Sequence, residues 1–333
     1  MPVPPAPALP AALWRRHAGA APSSSSRASS TPKTLLVLLP VLLLLLFALS
    51  RAPDLTFSST STSAADATPR HLRPFDCYAS PQASPVVANL VEGVPHPFLY
   101  SLADMGALPD HPHKNIARLL KGKRFRRPDI SKTIQELLGG EVGRAGGVVV
   151  DVGANVGMAS FAAAVMGFRV VAFEPVLENL QRVCDGVYLN RVQDRVAVYH
   201  AAASDRLGNI TMHKVIGRLD NSAISATGAK LAFKSNEEVA VEVSTIPLDE
   251  VIPDTERVLM IKIDVQGWEH HVLRGASKLL SRRKGEAPYL IYEEDERLLQ
   301  ASNTSAQEIR AFLSSVGYND CTLIGTDAHC TKE

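Results

Sequence analysis

Val148-Val-Val-Asp151-Val-Gly153-Ala-Asn155-Val-Gly157 decides how the rest of the chain is read. Three β-branched residues run into a carboxylate and a glycine-punctuated turn, and the Ala-rich segment Met158 to Met166 then has helical character. A buried parallel strand turning directly into a helix is the first half of a nucleotide-binding βαβ unit. Gly153 and Gly157 allow the tight turn and put no Cβ between the backbone and a ligand. The helix, beginning near Val156, directs its unpaired N–H groups at whatever occupies the turn.

A second strand, Arg169-Val-Val-Ala-Phe173, ends in Glu174-Pro175. An acidic residue about 20 positions beyond the turn suits hydrogen bonds to ribose hydroxyls. The dinucleotide fingerprint has three glycines, whereas this turn has one fewer and sets Asp151 at the strand end, where a pyrophosphate is repelled. S-adenosylmethionine carries no phosphate, and its sulfonium and ammonium suit an acidic mouth. The bland alternative is an ordinary α/β turn with no ligand, but the turn and the distant Glu174 fit together.

With 333 residues, 46% of them hydrophobic, the chain has room for one α/β domain plus appendages. A net charge of +1 gives no reason to expect a nucleic-acid partner. Cys77, Cys184, Cys321 and Cys330 show no C-x-x-C spacing, so no metal site is expected.

The first acidic residue is Asp54; before it stand only basic charges. Residues 1–33 are rich in Pro, Ala and Ser with scattered Arg, a disordered basic tail. Residues 34–50 form an uncharged run of Leu, Val and Phe. Three readings fit it: a single-pass signal anchor, a cleaved signal peptide, or part of an organelle transit peptide removed on import. The anchor is favoured, because 33 residues make an overlong leader for a signal peptide and the dense Leu block opposes a transit peptide. The basic flank then places the N-terminus in the cytosol and the rest of the chain in the lumen of the endoplasmic reticulum or Golgi. Residues 51–74 read as a flexible linker and 75–128 as an N-terminal extension with a weak signal. Within that extension, 113–120 has a helical pattern, and the basic loop 121–127 is either a clamp for an acidic substrate or a solvated loop.

The domain proper is expected over 129–333. Helices are read over 129–138, 176–190 with Cys184 inward as a buried thiol, 270–280 and 305–316. Strands are read over 196–201 leading to Ser204-Asp205, 208–213, 239–246, 258–263, 289–292 and 320–324. Strands alternating with helices over this length argue for a doubly wound, mostly parallel sheet. Its carboxyl-end rim would collect Asp151, Glu174, Ser204-Asp205, Asp264 and Glu293.

The sequence resembles the FkbM-type S-adenosylmethionine-dependent methyltransferases. The resemblance rests on Asp151-Val-Gly-Ala-Asn-Val-Gly157, Ala172-Phe-Glu174-Pro, Ala203-Ser-Asp205 and Asn221-Ser-Ala. It continues through Ser244-Thr-Ile-Pro-Leu-Asp249, Lys262-Ile-Asp-Val-Gln-Gly-Trp-Glu269, Val272-Leu-Arg-Gly275-Ala and Ile291-Tyr-Glu293, and covers about residues 130–325. It implies a Rossmann-like class I methyltransferase fold, here behind an N-terminal membrane anchor, and methyl transfer to a hydroxyl oxygen. Two departures stand out: Gln266 where the family commonly has an acid, and Trp268 where it has a small residue. The chain also ends soon after Ile324, so the last antiparallel strand is expected to be short or absent.

The roles that follow are expectations. Gly153, Asn155 and Gly157 cradle the methionine part of S-adenosylmethionine, with Asp151 near its ammonium. Glu174 takes the ribose hydroxyls; Ser204 and Asp205 face the adenine. Asp264 is the candidate base or acceptor-orienting group, against a helix-cap role, with Glu269 and Glu293 in support. Trp268 is either a platform for a sugar or the adenine, or core; His270 and His271 read as surface or core. The acceptor is a hydroxyl compound, with a luminal glycan in view. Asn209-Ile-Thr and Asn303-Thr-Ser match glycosylation sequons, and Cys321 and Cys330 could pair in an oxidising lumen. Two other classes remain open: an NAD(P)-dependent oxidoreductase, and a binding protein on an inactive methyltransferase fold.

Overall fold

The computed structural model describes residues 73–83, 86, 88–101, 121–122, 129–144, 146–215, 222–225, 228 and 238–332. The basic tail, the apolar run 34–50, the linker up to residue 72, the helix expected over 113–120 and the basic loop beyond Gly122 lie outside them. Among the described residues no helix is long and apolar enough to cross a membrane.

A short hairpin, β1 (Ala88–Val91) and β2 (Phe98–Ser101), precedes α1 (Asp129–Gly139) and α2 (Glu141–Arg144). The alternating part follows: β3 (Val148–Val152), α3 (Met158–Ala164), β4 (Arg169–Phe173), α4 (Leu177–Asn190) and β5 (Val196–Tyr199). Next come β6 (Ala202–Ala203), β7 (Gly208–Val215), β8 (Glu238–Ile246), α5 (Leu248–Val251) and β9 (Val258–Ile263). The chain continues through α6 (Glu269–Arg274), α7 (Ser277–Leu280), β10 (Tyr289–Glu293), α8 (Glu296–Ala301) and α9 (Ala306–Ser315) to β11 (Asp320–Ile324) and β12 (Asp327–Thr331).

Seven strands form the central sheet in the order β11-β12-β10-β9-β3-β4-β5. The five from β10 to β5 run parallel, and β12 is antiparallel to both β10 and β11. β3 and β9 are buried at every position, which is why both read as continuous apolar runs rather than alternating ones. The side-chain alternation of a strand still divides them between two layers. Val148, Val150 and Val152 join the core with Ile261, Leu273, Leu280 and Leu313, while Val149 joins the core with Ala159, Phe161, Leu180 and Met260. Strand order reverses at β3, with β4 and β5 to one side and β9 and β10 to the other. Ligands in such sheets settle outside the carboxyl ends at that reversal.

Four expectations are corrected. The strand read over 196–201 is two: β5 belongs to the central sheet, and β6 pairs with β8 in a separate three-stranded sheet of order β6-β8-β7, so Ser204-Asp205 hangs from that second sheet. The helix read over 270–280 is broken at Gly275-Ala276 into α6 and α7. The last antiparallel strand is present, five residues long, and lies between β10 and β11. Cys184 is no thiol: it is buried in α4 but bonded to Cys77, 107 residues earlier. The pairing of Cys321 with Cys330 is found across β11 and β12.

The Cys77–Cys184 bond is one of several ties that fasten the segment before α1 to the helices. Leu99 N donates to Asn190 Oδ1 at 2.8 Å and Asn190 Nδ2 donates to Leu99 O at 2.6 Å, so one α4 amide satisfies both backbone groups of a β2 residue. Ser101 Oγ donates to the buried Asp185 carboxylate at 2.9 Å. Phe98 sits against Phe161 of α3, with ring centroids 6.3 Å apart.

Candidate active site

The turn after β3 is held shut from three sides. Gly153 N and Ala154 N both donate to Phe173 O, each at 3.0 Å, which locks the turn against the end of β4. Gly153 has φ 74°, and a Cβ there would lie 1.9 Å from Asp264 O at the end of β9, so only glycine fits. Asn155 takes the left-handed conformation with φ 52°, a sparsely populated region for a residue with a side chain. Its N–H donates to Glu174 Oε2 at 2.8 Å.

Glu174 therefore joins two turns. Its Oε1 accepts from Val176 N at 2.9 Å and Asn179 Nδ2 at 3.3 Å, at the start of α4. It is only 4% exposed, and burial pushes its carboxyl up to about 7, against the pull of those donors and of Lys262. Gly153, Asn155 and Glu174 line a cleft of about 600 Å³, its open mouth included. Much of the remaining lining is apolar: Val176, Ala201, Ala202, Ala203, Met212 and Ile224.

Two of the cofactor contacts expected from the first strand and its turn are placed elsewhere. Asp151 is fully buried and does not line the cleft; alternation along β3 turns it beneath α3, where Oδ2 accepts from Ser160 N at 3.0 Å and Ser160 Oγ at 2.6 Å. Gly157, φ 88°, caps α3, and a Cβ there would strike the Phe161 ring at 2.4 Å, so this glycine serves packing.

Lys262 is the residue that sequence reasoning missed as part of the site. Its Nζ donates to Gly153 O at 2.8 Å and lies 3.3 Å from Asp151 Oδ1 and 3.8 Å from Asp264 Oδ2. Burial works against its charge, but the two aspartates outweigh it and raise its pKa. One ammonium thus ties the turn after β3, its buried support Asp151 and the cleft carboxylate Asp264. A single lysine in an otherwise apolar central strand, two residues before an aspartate, was the available signal.

Asp264 ends β9 with its side chain 46% exposed, on the cleft lining. It does not cap α6; Trp268 is the cap residue there, with no side-chain cap bond. Gln266, φ 56°, lines the cleft too, and its Nε2 donates to Asp264 Oδ1 at 3.0 Å and Glu293 Oε2 at 2.9 Å. Burial first, then the charges of Asp264, Glu269, Asp327 and Asp295, push Glu293 up to about 8. Glu269 is buried behind the 264–268 loop, where Oε1 accepts from Val265 N at 3.0 Å and Gly267 N at 3.2 Å; it shapes the loop and does not line the cleft.

Ser204 and Asp205 do not line the cleft either. Ser204 Oγ accepts from Trp268 Nε1 at 3.1 Å and so fixes the indole, which does line it. His271 stacks on Trp268 with centroids 3.6 Å apart and planes 5° apart, and His270 lies edge-on to Phe312. Trp268 is thus both partly core and part of the cleft wall.

The residues present fit an adenosyl sulfonium. The buried Glu174 carboxylate on the lining offers acceptors to a ribose diol, much of the remaining lining is apolar, and Asp264 adds an open carboxylate. Sheet order, cleft and carboxylate define a Rossmann-like methyltransferase, the class of enzyme that draws its methyl group from S-adenosylmethionine. The profile of the Methyltransferase FkbM domain matches residues 151–319, half of the sequence, and the chain belongs to that family. No curated protein matches it.

Solved structures resemble it more distantly. A 16S rRNA N2 G1207 methyltransferase of T. thermophilus, in complex with AdoMet and guanosine, is 13% identical, with 77% of this chain and 52% of that chain covered at TM-score 0.41. A precorrin-6y C5,15-methyltransferase of Geobacter metallireducens GS-15 is 12% identical over 62% of this chain and 88% of that one, at 0.35. A tRNA (uracil-54, C5)-methyltransferase of Pyrococcus abyssi, in complex with S-adenosyl-L-homocysteine, is 11% identical over 74% and 44%, also at 0.35.

Proposed function

We propose that this methyltransferase acts on a hydroxyl oxygen, of a glycan or a small molecule, in the lumen of the secretory pathway. The observation that carries the reading is the cleft at the ends of β3, β4 and β9, lined by the buried Glu174 and by the open carboxylate of Asp264. Glu174 receives the ribose hydroxyls, Gly153 and Asn155 flank the methionine part, and the Ala201–Ala203 wall takes the adenine. The bound cofactor supplies a methyl carbon already activated by its sulfonium. The protein has then to align the acceptor and accept its proton.

Asp264 is the group for that proton. It is the carboxylate open to the cleft, and Lys262 and Gln266 fix it from two sides. Glu293, raised by burial and its acidic neighbours, and Glu269 are both off the cleft lining. All four cysteines are paired, which supports an oxidising compartment and agrees with the anchor read over 34–50.

An oxidoreductase reading loses its footing with the family membership. An inactive binding protein is separated by experiment. Purified full-length protein and S-adenosylmethionine labelled in the methyl group are incubated with glycan and small-molecule fractions from secretory membranes. Label is expected in an alkali-stable ether of a hydroxyl compound. Asp264→Ala should bind cofactor normally and transfer nothing, whereas Glu174→Ala should fail to bind. Cofactor binding without transfer to any fraction would leave the inactive reading in place.

A further inference from the structure

Two sequons lie on described, exposed segments, and the fold treats them differently. Asn209 sits in β7, paired with Ser244 of β8. Its Nδ2 donates to Glu242 Oε1 at 2.6 Å, and its Oδ1 accepts from Ser244 Oγ at 3.4 Å. The nitrogen that a glycan would occupy is already committed to a carboxylate on the neighbouring strand.

Asn303 stands in the turn between α8 and α9, exposed, in the left-handed conformation with φ 57°. Its backbone N–H donates to Gln300 O at 3.1 Å, and no described side chain holds its amide. The residues around it are fixed: Ser302 and Thr304 are each 8% exposed, Thr304 Oγ1 donates to Leu299 O at 3.1 Å, and Ser305 caps α9 by accepting from Glu308 N at 3.2 Å. A rigid turn thus presents one free amide outward, two residues before the hydroxyl that the sequon requires.

We propose that Asn303 is an N-glycosylation site and that the folded chain carries its glycan there. The proposal rests on the luminal reading above. Chemically, Asn303 Nδ2 attacks the anomeric carbon of an oligosaccharide held on a lipid pyrophosphate. The new C–N bond replaces the C–O bond, the lipid pyrophosphate leaves with the electron pair, and Nδ2 gives up one proton. The glycan then projects from the turn into solvent with no native contact broken, whereas at Asn209 it crowds the nitrogen that donates to Glu242.

The test expresses the full chain in secretory cells and reads mobility and intact mass before and after glycosidase. A glycosidase-sensitive form that Asn303→Gln abolishes and Asn209→Gln retains is the expected result. Asn303→Gly, which keeps the left-handed turn, should lose the same mass while thiol alkylation still finds both disulfides closed, so loss of the glycan is separable from misfolding. Disulfides closed and the domain protected by sealed membranes, with Asn303 unmodified, overturns the glycan site and leaves the luminal reading intact. Free thiols and a protease-accessible domain overturn both.

Discussion

Replacing Glu174 by Gln keeps shape and volume and removes only the second oxygen and the charge. In the native site Oε1 faces Val176 N and Asn179 Nδ2, and Oε2 faces Asn155 N, so whichever way the amide turns, its NH2 meets a backbone donor. That mismatch costs roughly 1–3 kcal/mol. Two hydroxyl bonds to a carboxylate also become bonds to a neutral amide, a loss of about 1 kcal/mol each. The mismatch weakens the fold with or without ligand, so the loss in cofactor affinity is that of the two hydroxyl bonds, about 2 kcal/mol or roughly 30-fold. Calorimetric titration with S-adenosylhomocysteine at pH 8 reads it. The same carboxyl, pushed up to about 7 by burial, must be ionised to accept both hydroxyls fully. Affinity should therefore fall by about tenfold from pH 8 to pH 6 as the ionised fraction falls. Adenosine is the suitable probe for that series, since it offers the same ribose and no amino group that titrates nearby. A Glu174→Gln protein within threefold of wild type, together with a flat pH series, would refute the placement of the ribose.

Lys262→Met should destabilise the fold by about 3–5 kcal/mol, because it strands the buried Asp151 carboxylate, and differential scanning should show a Tm lower by roughly 10 °C; an unchanged Tm would contradict the ion pair. Cys77→Ser with Cys184→Ser opens a loop of 107 residues and should cost up to about 5 kcal/mol, while opening the Cys321–Cys330 loop of 9 should cost about half that, in denaturant unfolding. Equal costs would argue against the loop-entropy account. Glu174 and Glu269 are both raised to about 7, so between about pH 4.5 and 7 the folded state binds more protons than the unfolded one, and their contribution to stability declines as pH rises through that window. Cofactor-free protein should accordingly lose on the order of 3 kcal/mol per carboxyl between pH 5 and pH 8, measured by urea midpoints; a rise across that range would show that the two carboxyls are not held in a desolvated setting.

The parts legible in the sequence were those whose local and global signals agree. The run Val148–Val150, the glycine turn and the Ala-rich helix announce one another, and β9 is apolar for the same reason as β3, burial on both faces. The hairpin β1–β2 was not legible. Each strand has four residues, Asn89 and Ser101 are polar yet buried, and the support comes from Asn190 and Asp185 far along the chain. β6 is two residues long and pairs with a strand some forty positions later, so pattern alone fused it to β5. β12 alternates only through the small Ala328 and Cys330, too weak a signal to separate from a tail.

Within the site, sequence placed Glu174 and Asp264 on the cleft but could not see which way the other acids turn. Asp151 lies one strand position from a cleft residue, and the pleat points it inward. Glu269 is at the start of a helix, where a surface cap was the alternative, yet it folds under its own loop. Lys262, a lysine in an apolar strand, signals a buried partner, but only the fold shows that Asp151 from the neighbouring strand shares it with Asp264.

The chain has two tryptophans, Trp14 and Trp268, and the second forms part of the cleft wall. In full-length protein bearing Trp14→Phe, emission therefore comes from Trp268 alone, and titration with S-adenosylhomocysteine tests the cofactor site directly. A saturable change in emission, unmoved by NAD and weakened by Glu174→Gln, is the predicted result. Emission that stays constant to millimolar ligand, or that answers to NAD instead, would contradict an adenosyl sulfonium between β3 and β4.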